Sequence, residues 1–357
     1  MDKFKKVAIV YDWVNQWGGA ERVVSLLADL FPASNLYTGV YDRIRAPWAK
    51  KKFKNIHPSF LNGFPLVKAN YYWYFSLFPL AFKSFSFDQY DLVISVTSFA
   101  GKFIITNPKT LHICYCLTPP RFLWQRESLP NSFKKLFPFL ANLRIKDVLA
   151  AQRPNLFLTS CQNTSQRIKK FYRRKAEVIY PGVDLQKFKL SSEKRKKYFL
   201  LASRLVEYKK TDLVVSTFNK LGWPLKIIGT GRQEGRLKKM AKNNIEFLGQ
   251  VSENILVPAY QQAKAVIFPQ EEDFGLVPIE AQACGTPVLA YGRGGALETI
   301  IPSQTGEFFS KQNEKSLIQS LHEFKPEKYK AQNCRMSAER FSKKSFIKNF
   351  KKVLEIK

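Results

Sequence analysis

The sequence predicts an α/β protein made of two Rossmann-like, doubly wound domains facing a central cleft. Three observations predict it. Short apolar runs alternate with helix-period patterns through both halves of the chain. The length of 357 residues exceeds what one ordinary core serves and suits two domains of this size. Near the middle, Tyr180-Pro181-Gly182-Val183-Asp184 breaks a strand with Pro-Gly ahead of a basic stretch, which marks a boundary.

Taken in order, the strands of the first half are expected at Val7–Tyr11, Leu92–Val96, Leu111–Cys116, Leu156–Ser160 and Glu177–Tyr180. Those of the second half are expected at Tyr198–Ser203, Leu225–Ile228, Ile245–Leu248, Ala265–Phe268 and Pro287–Ala290. Continuous apolar runs of four to six residues suit parallel strands covered on both faces, with the helical stretches as crossovers. Residues 1–183 then form the first domain and 184–337 the second. In 338–357, Phe341, Phe346, Phe350 and Leu354 fall near helical spacing, so a terminal amphipathic helix packs back on the fold. Open α/β sheets bind ligands at the carboxyl ends of their strands, so the loops after those strands are where function is sought.

The charge balance narrows the partners. Lys plus Arg number 58 against 28 for Asp plus Glu, a formal charge of +30. Such an excess suits a polyanionic partner, although solvated lysine-rich helix faces explain part of it. Clusters such as Lys50-Lys51-Lys52 follow no nucleic-acid-binding motif, so an anionic membrane surface is preferred and no specific nucleic acid is expected. Val7–Tyr11 is too short an apolar run for a signal peptide, and Tyr71–Phe82 contains Pro79 and is too short to span a bilayer. The expectation is a cytoplasmic protein, peripheral on the inner face of the cell membrane. The segment Phe60–Phe87, dense in aromatic residues with Lys68 and Lys83 inside it, reads equally as a membrane-interface surface and as domain core. The five cysteines, Cys114, Cys116, Cys161, Cys284 and Cys334, are scattered, which argues for reduced thiols and against a metal site.

Three segments carry chemistry. The run Pro269-Gln270-Glu271-Glu272-Asp273-Phe274-Gly275 follows an expected strand and precedes a helix from about Leu276 to Ala283. The first turn of such a helix turns free N–H groups toward a ligand and suits a phosphate. Glu272 lies before that helix and Glu280 inside it, so the two carboxylates reach different places. Sugar hydroxyls donate well to carboxylates, yet the spacing taken alone favours a helix cap at Glu272 and a surface charge at Glu280. Arg204, at a strand end in Ser203-Arg204-Leu205-Val206, is followed by Lys209 and Lys210; fixed cations there would stabilise a departing diphosphate. Lys210 and Arg232 read as solvated surface residues. Third, Asp12–Arg22 holds Gly18 and Gly19 between a strand and a helix, where backbone approaches a pyrophosphate closely. The three-glycine dinucleotide fingerprint is missing, which argues against hydride transfer.

Together these segments resemble the retaining glycosyltransferases of family 4, whose fold is GT-B. The resemblance covers nearly the whole chain and extends to Tyr180–Asp184, Gly229-Thr230-Gly231 and Gly292-Arg293-Gly294-Gly295. Tyr115-Cys116-Leu117-Thr118-Pro119-Pro120-Arg121-Phe122-Leu123-Trp124 looks like the branch that contains bacterial O-antigen and exopolysaccharide mannosyltransferases. The resemblance implies that Glu272 contacts the donor sugar, Glu280 the ribose, and Arg204 and Lys209 the diphosphate. It implies that Gly18 and Gly19 close over the diphosphate from the first, acceptor-side domain. Phe274, Gly275 and Leu276 present backbone groups, and Val251 meets the nucleobase. It further implies a metal-independent, cofactor-free transfer with retention, from GDP-mannose or alternatively a UDP-sugar, to a lipid-linked or polysaccharide acceptor. One departure stands out: Leu117 occupies a position where many relatives carry His. A sugar-nucleotide-binding protein without catalysis is therefore the competing reading.

Overall fold

The structure, a computed structural model, describes residues 4–125, 140–191 and 195–355. The chain divides into two compact units, Met1–Gly182 with Phe346–Lys357 and Val183–Ser345. Among the described residues no helix is long and apolar enough to cross a membrane.

Unit 1 is built on a seven-stranded parallel sheet. Its strands are β1 (Val7–Val14), β2 (Asn35–Tyr41), β3 (Ile56–Pro58), β4 (Leu92–Thr97), β5 (Leu111–Cys116), β6 (Leu156–Thr159) and β7 (Glu177–Val178), ordered β3-β2-β1-β4-β5-β6-β7. In register, Ile9 lies between Leu36 and Ile94. Alternation along β1 supplies both faces. Val7, Ile9 and Tyr11 join Val23, Val24 and Leu27 of the helix Gly19–Leu30, while Ala8 and Val10 join Phe78, Phe82 and Phe99.

The aromatic segment is resolved into two populations. Phe78, Phe82 and Phe87 are core, at most 1% exposed, whereas Phe60, Phe64, Leu66, Tyr72, Trp73 and Leu80 stand at the surface. Burying each core phenylalanine contributes roughly 2–3 kcal/mol, so this segment cannot leave the sheet. The core reading holds for the buried side chains of this segment, and the remainder are exposed.

Between β1 and β4 the sheet reverses its winding direction, and there a carboxylate organises the chain. Asp12, expected after the first strand, lies inside β1 and is fully buried. Its oxygens accept from Thr97 Oγ1 (2.6 Å), Ser98 N (2.6 Å), Ser98 Oγ (3.0 Å), Phe99 N (3.0 Å), Ala100 N (2.8 Å) and Gly101 N (2.7 Å). One side chain thus accepts from the backbone N–H groups of Ser98, Phe99, Ala100 and Gly101 in the loop after β4. That loop continues to Lys102, whose buried ammonium lies 2.7 Å from Asp147.

Unit 2 repeats the plan with six parallel strands: β8 (Phe199–Ala202), β9 (Leu225–Ile228), β10 (Ile245–Gly249), β11 (Val266–Phe268), β12 (Val288–Tyr291) and β13 (Gly306–Phe309). Their order is β10-β9-β8-β11-β12-β13, so the switch point falls between β8 and β11. The last turns of the chain depart from the single stripe expected of them. Ser342 Oγ accepts from Ser345 N (3.1 Å) and starts a new helix, Lys343–Glu355. Phe346, Phe350 and Leu354 enter the core of unit 1, and Tyr115 meets the Phe346 ring edge-on at 6.2 Å. Phe341 lies before that helix and stays in unit 2, its ring 5.6 Å from that of Phe274.

All five cysteines are free and buried, and burial pushes the thiols of Cys114, Cys284 and Cys334 up to about 12. The Asp12 network carries its own prediction. Asp12→Asn replaces an acceptor by a donor against a row of N–H groups and should cost about 2–4 kcal/mol in urea unfolding. An unchanged unfolding midpoint would remove the organising role of Asp12.

Candidate functional site

The site is assembled in unit 2 from the loops that leave the carboxyl ends of β8, β9, β11 and β12. After β8, Ser203 N donates to Ile228 O (3.0 Å), and Leu205 N donates to Thr230 O (2.9 Å). These bonds require a backbone approach that only glycine permits. A Cβ on Gly229 would lie 1.9 Å from Ser203 O, and one on Gly231 would lie 2.3 Å from Leu205 O. Held in this way, the loop turns through a short 3-10 segment, Glu207–Lys209, into the helix Thr211–Leu221.

The loop after β11 is held from its other side by the loop after β12. Gly295 N donates to Glu272 O (2.9 Å), and Cβ atoms on Gly294 and Gly295 would come within 2.3 Å of the backbone of Glu272 and Phe274. Gly275, at φ +85°, precedes the helix Leu276–Ala283, and a Cβ there would strike the Phe268 ring at 2.8 Å. No side chain caps this helix, so its first-turn N–H groups keep their capacity to bind an anion.

Across the switch point the two loops meet through side chains. Lys209 Nζ forms an ion pair with Glu272 Oε1, and Gln270 Nε2 donates to the same oxygen at 2.8 Å. Among the described residues no protein hydrogen bond is made to Glu272 Oε2, and the side chain keeps 24% of its surface exposed. Lys209 is more enclosed, at 11%, with its ammonium 5.1 Å from the centre of the Tyr208 ring. Arg204 is exposed, and its Nη2 donates to Tyr208 Oη at 2.7 Å. Tyr208 therefore ties together two cations otherwise five positions apart. The cluster offers an ammonium and a guanidinium for an anion, and a carboxylate oxygen for a hydroxyl donor.

The other expected site residues take varied positions. Glu280 is 3% exposed, and its Oε2 accepts from Tyr260 Oη at 3.0 Å. Phe274 is buried, Gly275 and Leu276 form the entry to the helix, and Val251 is half-buried in the loop after β10. Gly18 and Gly19 belong to unit 1, where Gly18 leads into the helix Gly19–Leu30. A Cβ on Gly18 would lie 3.1 Å from Glu21 Oε2, and Glu21 is itself buried, accepting from Tyr11 Oη at 2.7 Å. Burial together with that carboxylate raises the Tyr11 hydroxyl well above its usual range. Lys210 and Arg232 are exposed, as expected of surface residues.

Leu117 follows β5; its N donates to Thr97 O (2.8 Å), and its side chain packs on the unit 1 core. His112 lies within β5, its Nε2 2.8 Å from Ser95 Oγ. Burial, helped by Arg153, lowers its pKa to about 3, so it is neutral at physiological pH. Among the described residues no three His, Cys, Asp or Glu side chains group together as a metal site would require. A cavity of about 230 Å³ opens beside the β8 loop, lined by Val206, Glu207, Lys210, Thr211 and Arg236. Neither Glu272 nor Lys209 lines it. Gln270 and Tyr208 are the side chains of this cluster that sequence reasoning passed over. The signal for Gln270 was its place two residues before Glu272 in a loop leaving a buried strand.

Residues 183–341, nearly all of unit 2, match the model of the family described as glycosyl transferases group 1. An uncharacterized glycosyltransferase of Methanocaldococcus jannaschii is 27% identical over 192 residues, covering 51% of this chain and 54% of that protein. A GDP-mannose-dependent monoacylated alpha-(1-6)-phosphatidylinositol monomannoside mannosyltransferase of Corynebacterium glutamicum is 32% identical over 117 residues, covering 28% of this chain and 31% of that protein. The chain thus spans about half the length of the first relative and about a third of the second. Among solved structures, HepE of Anabaena in complex with UDP aligns over 99% of this chain and 100% of its own, with a TM-score of 0.75 and 15% identity. That likeness is one of fold. The two parallel-sheet, Rossmann-like units are those of the GT-B architecture.

The glycine contacts can be tested against each other. Gly295→Ala should destabilise the protein by about 2 kcal/mol, because Phe274 and Asp273 backbone must move to admit the methyl group. Gly235→Ala, in the helix Glu234–Met240 with nothing within 4 Å of its Cβ, should instead gain roughly 0.5–1 kcal/mol. Urea unfolding of both variants reads the difference, and equal midpoints would refute the clamp.

Proposed function

We propose that the protein is a glycosyltransferase that moves a hexose from a nucleoside-diphosphate donor to an acceptor hydroxyl. The observation that carries this reading is the Lys209–Glu272–Gln270 cluster at the switch point of a glycosyl transferases group 1 domain. In this reading Arg204 and Lys209 hold the diphosphate, and Glu272 Oε2 accepts from a hexose hydroxyl. Glu280 serves the ribose, with its carboxylate fixed by Tyr260. The uncapped helix entry at Phe274, Gly275 and Leu276 offers N–H groups to sugar and phosphate. Val251 meets the base.

The acceptor oxygen bonds to the anomeric carbon as the bond from that carbon to the β-phosphate oxygen breaks. Positive charge collects on the sugar ring, and negative charge collects on the leaving diphosphate, where Arg204 and Lys209 offset it. The departing phosphate oxygen takes the acceptor's proton, so attack comes from the face of departure and the anomeric configuration is retained. No cofactor or metal is required in this scheme. GDP-mannose is the proposed donor, supported by the donor named for the Corynebacterium relative. A UDP-sugar is the alternative, supported by the UDP in the HepE structure. The proposed acceptor is a lipid-linked sugar or a growing cell-surface glycan. Leu117 favours a second reading, in which the chain binds a sugar nucleotide without transferring it, because an apolar side chain there offers no hydrogen bond to a donor sugar. Donor consumption by wild type and Glu272→Ala decides between them. A fall of about 100-fold or more is expected of the enzyme, and equal rates would refute the role of Glu272.

The proposed location is cytoplasmic, on the inner face of the cell membrane. Between Asp42 and Asp88 the sequence holds no carboxylate but eight cations: Arg43, Arg45, Lys50, Lys51, Lys52, Lys54, Lys68 and Lys83. The same segment exposes Leu66 (65%), Trp73 (59%) and Leu80 (58%), an aromatic-aliphatic surface suited to the interface of an anionic bilayer. The protein should sediment with phosphatidylglycerol vesicles at low salt and not with phosphatidylcholine, and Leu66→Ser with Trp73→Ser should release it. Failure of the wild type to sediment would end the membrane reading.

A further inference from the structure

Lys209 already has a partner. Its ammonium is committed to Glu272 Oε1, and any diphosphate that uses Lys209 competes with a carboxylate of the protein itself. Gln270 holds Glu272 independently of Lys209. Its Nε2 holds the same oxygen at 2.8 Å, it is 1% exposed, and its amide oxygen has no protein partner among the described residues. Glu272 therefore keeps an anchor after Lys209 leaves, and Oε2 stays turned to whatever hydroxyl is offered.

We infer that Glu272 is an internal competitor that discriminates an intact sugar nucleotide from the nucleoside diphosphate left after transfer. The inference rests on the donor-site reading given above. Either ligand must take Lys209 away from Glu272. An intact sugar nucleotide compensates that carboxylate, because its hexose hydroxyls donate to Glu272 in place of the ammonium. A sugar-free nucleoside diphosphate offers no such donor and leaves a half-buried carboxylate without its counter-ion beside a second anion. The ion pair thus weakens product binding selectively and favours product release, while Gln270 preserves the geometry for the next donor. Gln270 is in these terms a positioning residue, acting through Glu272 without touching the ligand.

The test is calorimetric titration of the full chain with GDP and GDP-mannose, and with UDP and UDP-glucose. Glu272→Gln keeps the shape of the side chain and removes its charge. It should tighten binding of the nucleoside diphosphate by roughly three- to ten-fold and leave the sugar nucleotide no tighter, so the ratio of the two Kd values shrinks. Lys209→Met should weaken the nucleoside diphosphate, and adding Glu272→Gln to it should restore no more than a small part of the gain seen alone. Unchanged or weaker nucleoside diphosphate binding by Glu272→Gln, with wild-type binding intact, would overturn the inference and leave the donor site standing. Absence of binding of all four ligands to the wild type would instead refute the donor-site reading itself.

Discussion

Strands β8 and β11 lie side by side, yet the chain leaves them in opposite directions. The opening that results at their carboxyl ends is crossed by one ion pair, Lys209 to Glu272. Every other feature of the unit 2 site serves to bring those two side chains to that place. The Gly229 and Gly231 contacts hold the loop that bears Lys209. Gly294 and Gly295 hold the loop that bears Glu272, and Gln270 aims its carboxylate. Five glycine-dependent or buried polar contacts converge on a pair that is itself partly open to water, and exposed pairs of this kind contribute little to stability. The arrangement makes physical sense as a site more than as a support.

Unit 1 has the same winding and also places a carboxylate at its reversal, but uses it to the opposite end. Asp12 spends both oxygens on six donors, one from Thr97 at the end of β4 and five from the loop that follows, and is fully buried. Nothing remains with which to greet a ligand. Glu272 spends one oxygen and keeps the other. The same side-chain chemistry at equivalent topological points is thus structural in one sheet and available in the other, and the difference lies in how many backbone N–H groups the facing loop turns inward.

Legibility in the sequence followed local signal strength. The apolar runs of β1, β4, β5, β8, β9 and β11 declared themselves because buried parallel strands need continuous hydrophobicity. Strands β2, β3 and β13 did not. Asn35-Leu36-Tyr37-Thr38-Gly39 mixes polar and apolar residues, β3 is three residues ending in Pro58, and β13 opens with Gly306-Glu307. These are turn signals locally, and only the neighbouring strands make them strands; a Cβ on Gly306 would lie 2.0 Å from Val288 O. At the candidate site, Glu272, Lys209 and Arg204 stood out as charged residues after apolar strands, and only the family resemblance gave them roles. The pairing of Lys209 with Glu272 was not readable, since it depends on three-dimensional approach of two loops 63 positions apart. The deep burial of Glu280 was likewise invisible, because helical periodicity fixes a face without saying what covers it.

Backbone pairing of Val183 with Phe341 and Lys343 gives the chain an order of assembly. Val183 N donates to Phe341 O (2.7 Å), Lys343 N donates to Val183 O (3.1 Å), and the Lys343 ammonium lies 2.7 Å from Asp184. Unit 2 is therefore closed at its own two ends and contiguous in sequence, an insertion within unit 1. Unit 1 receives Phe346, Phe350, Val353 and Leu354 into a face first laid down by Val7 and Ile9. During synthesis that face lacks Phe346, Phe350, Val353 and Leu354 until the helix Lys343–Glu355 emerges from the ribosome, directly after the whole of unit 2. The half made first is the half finished last.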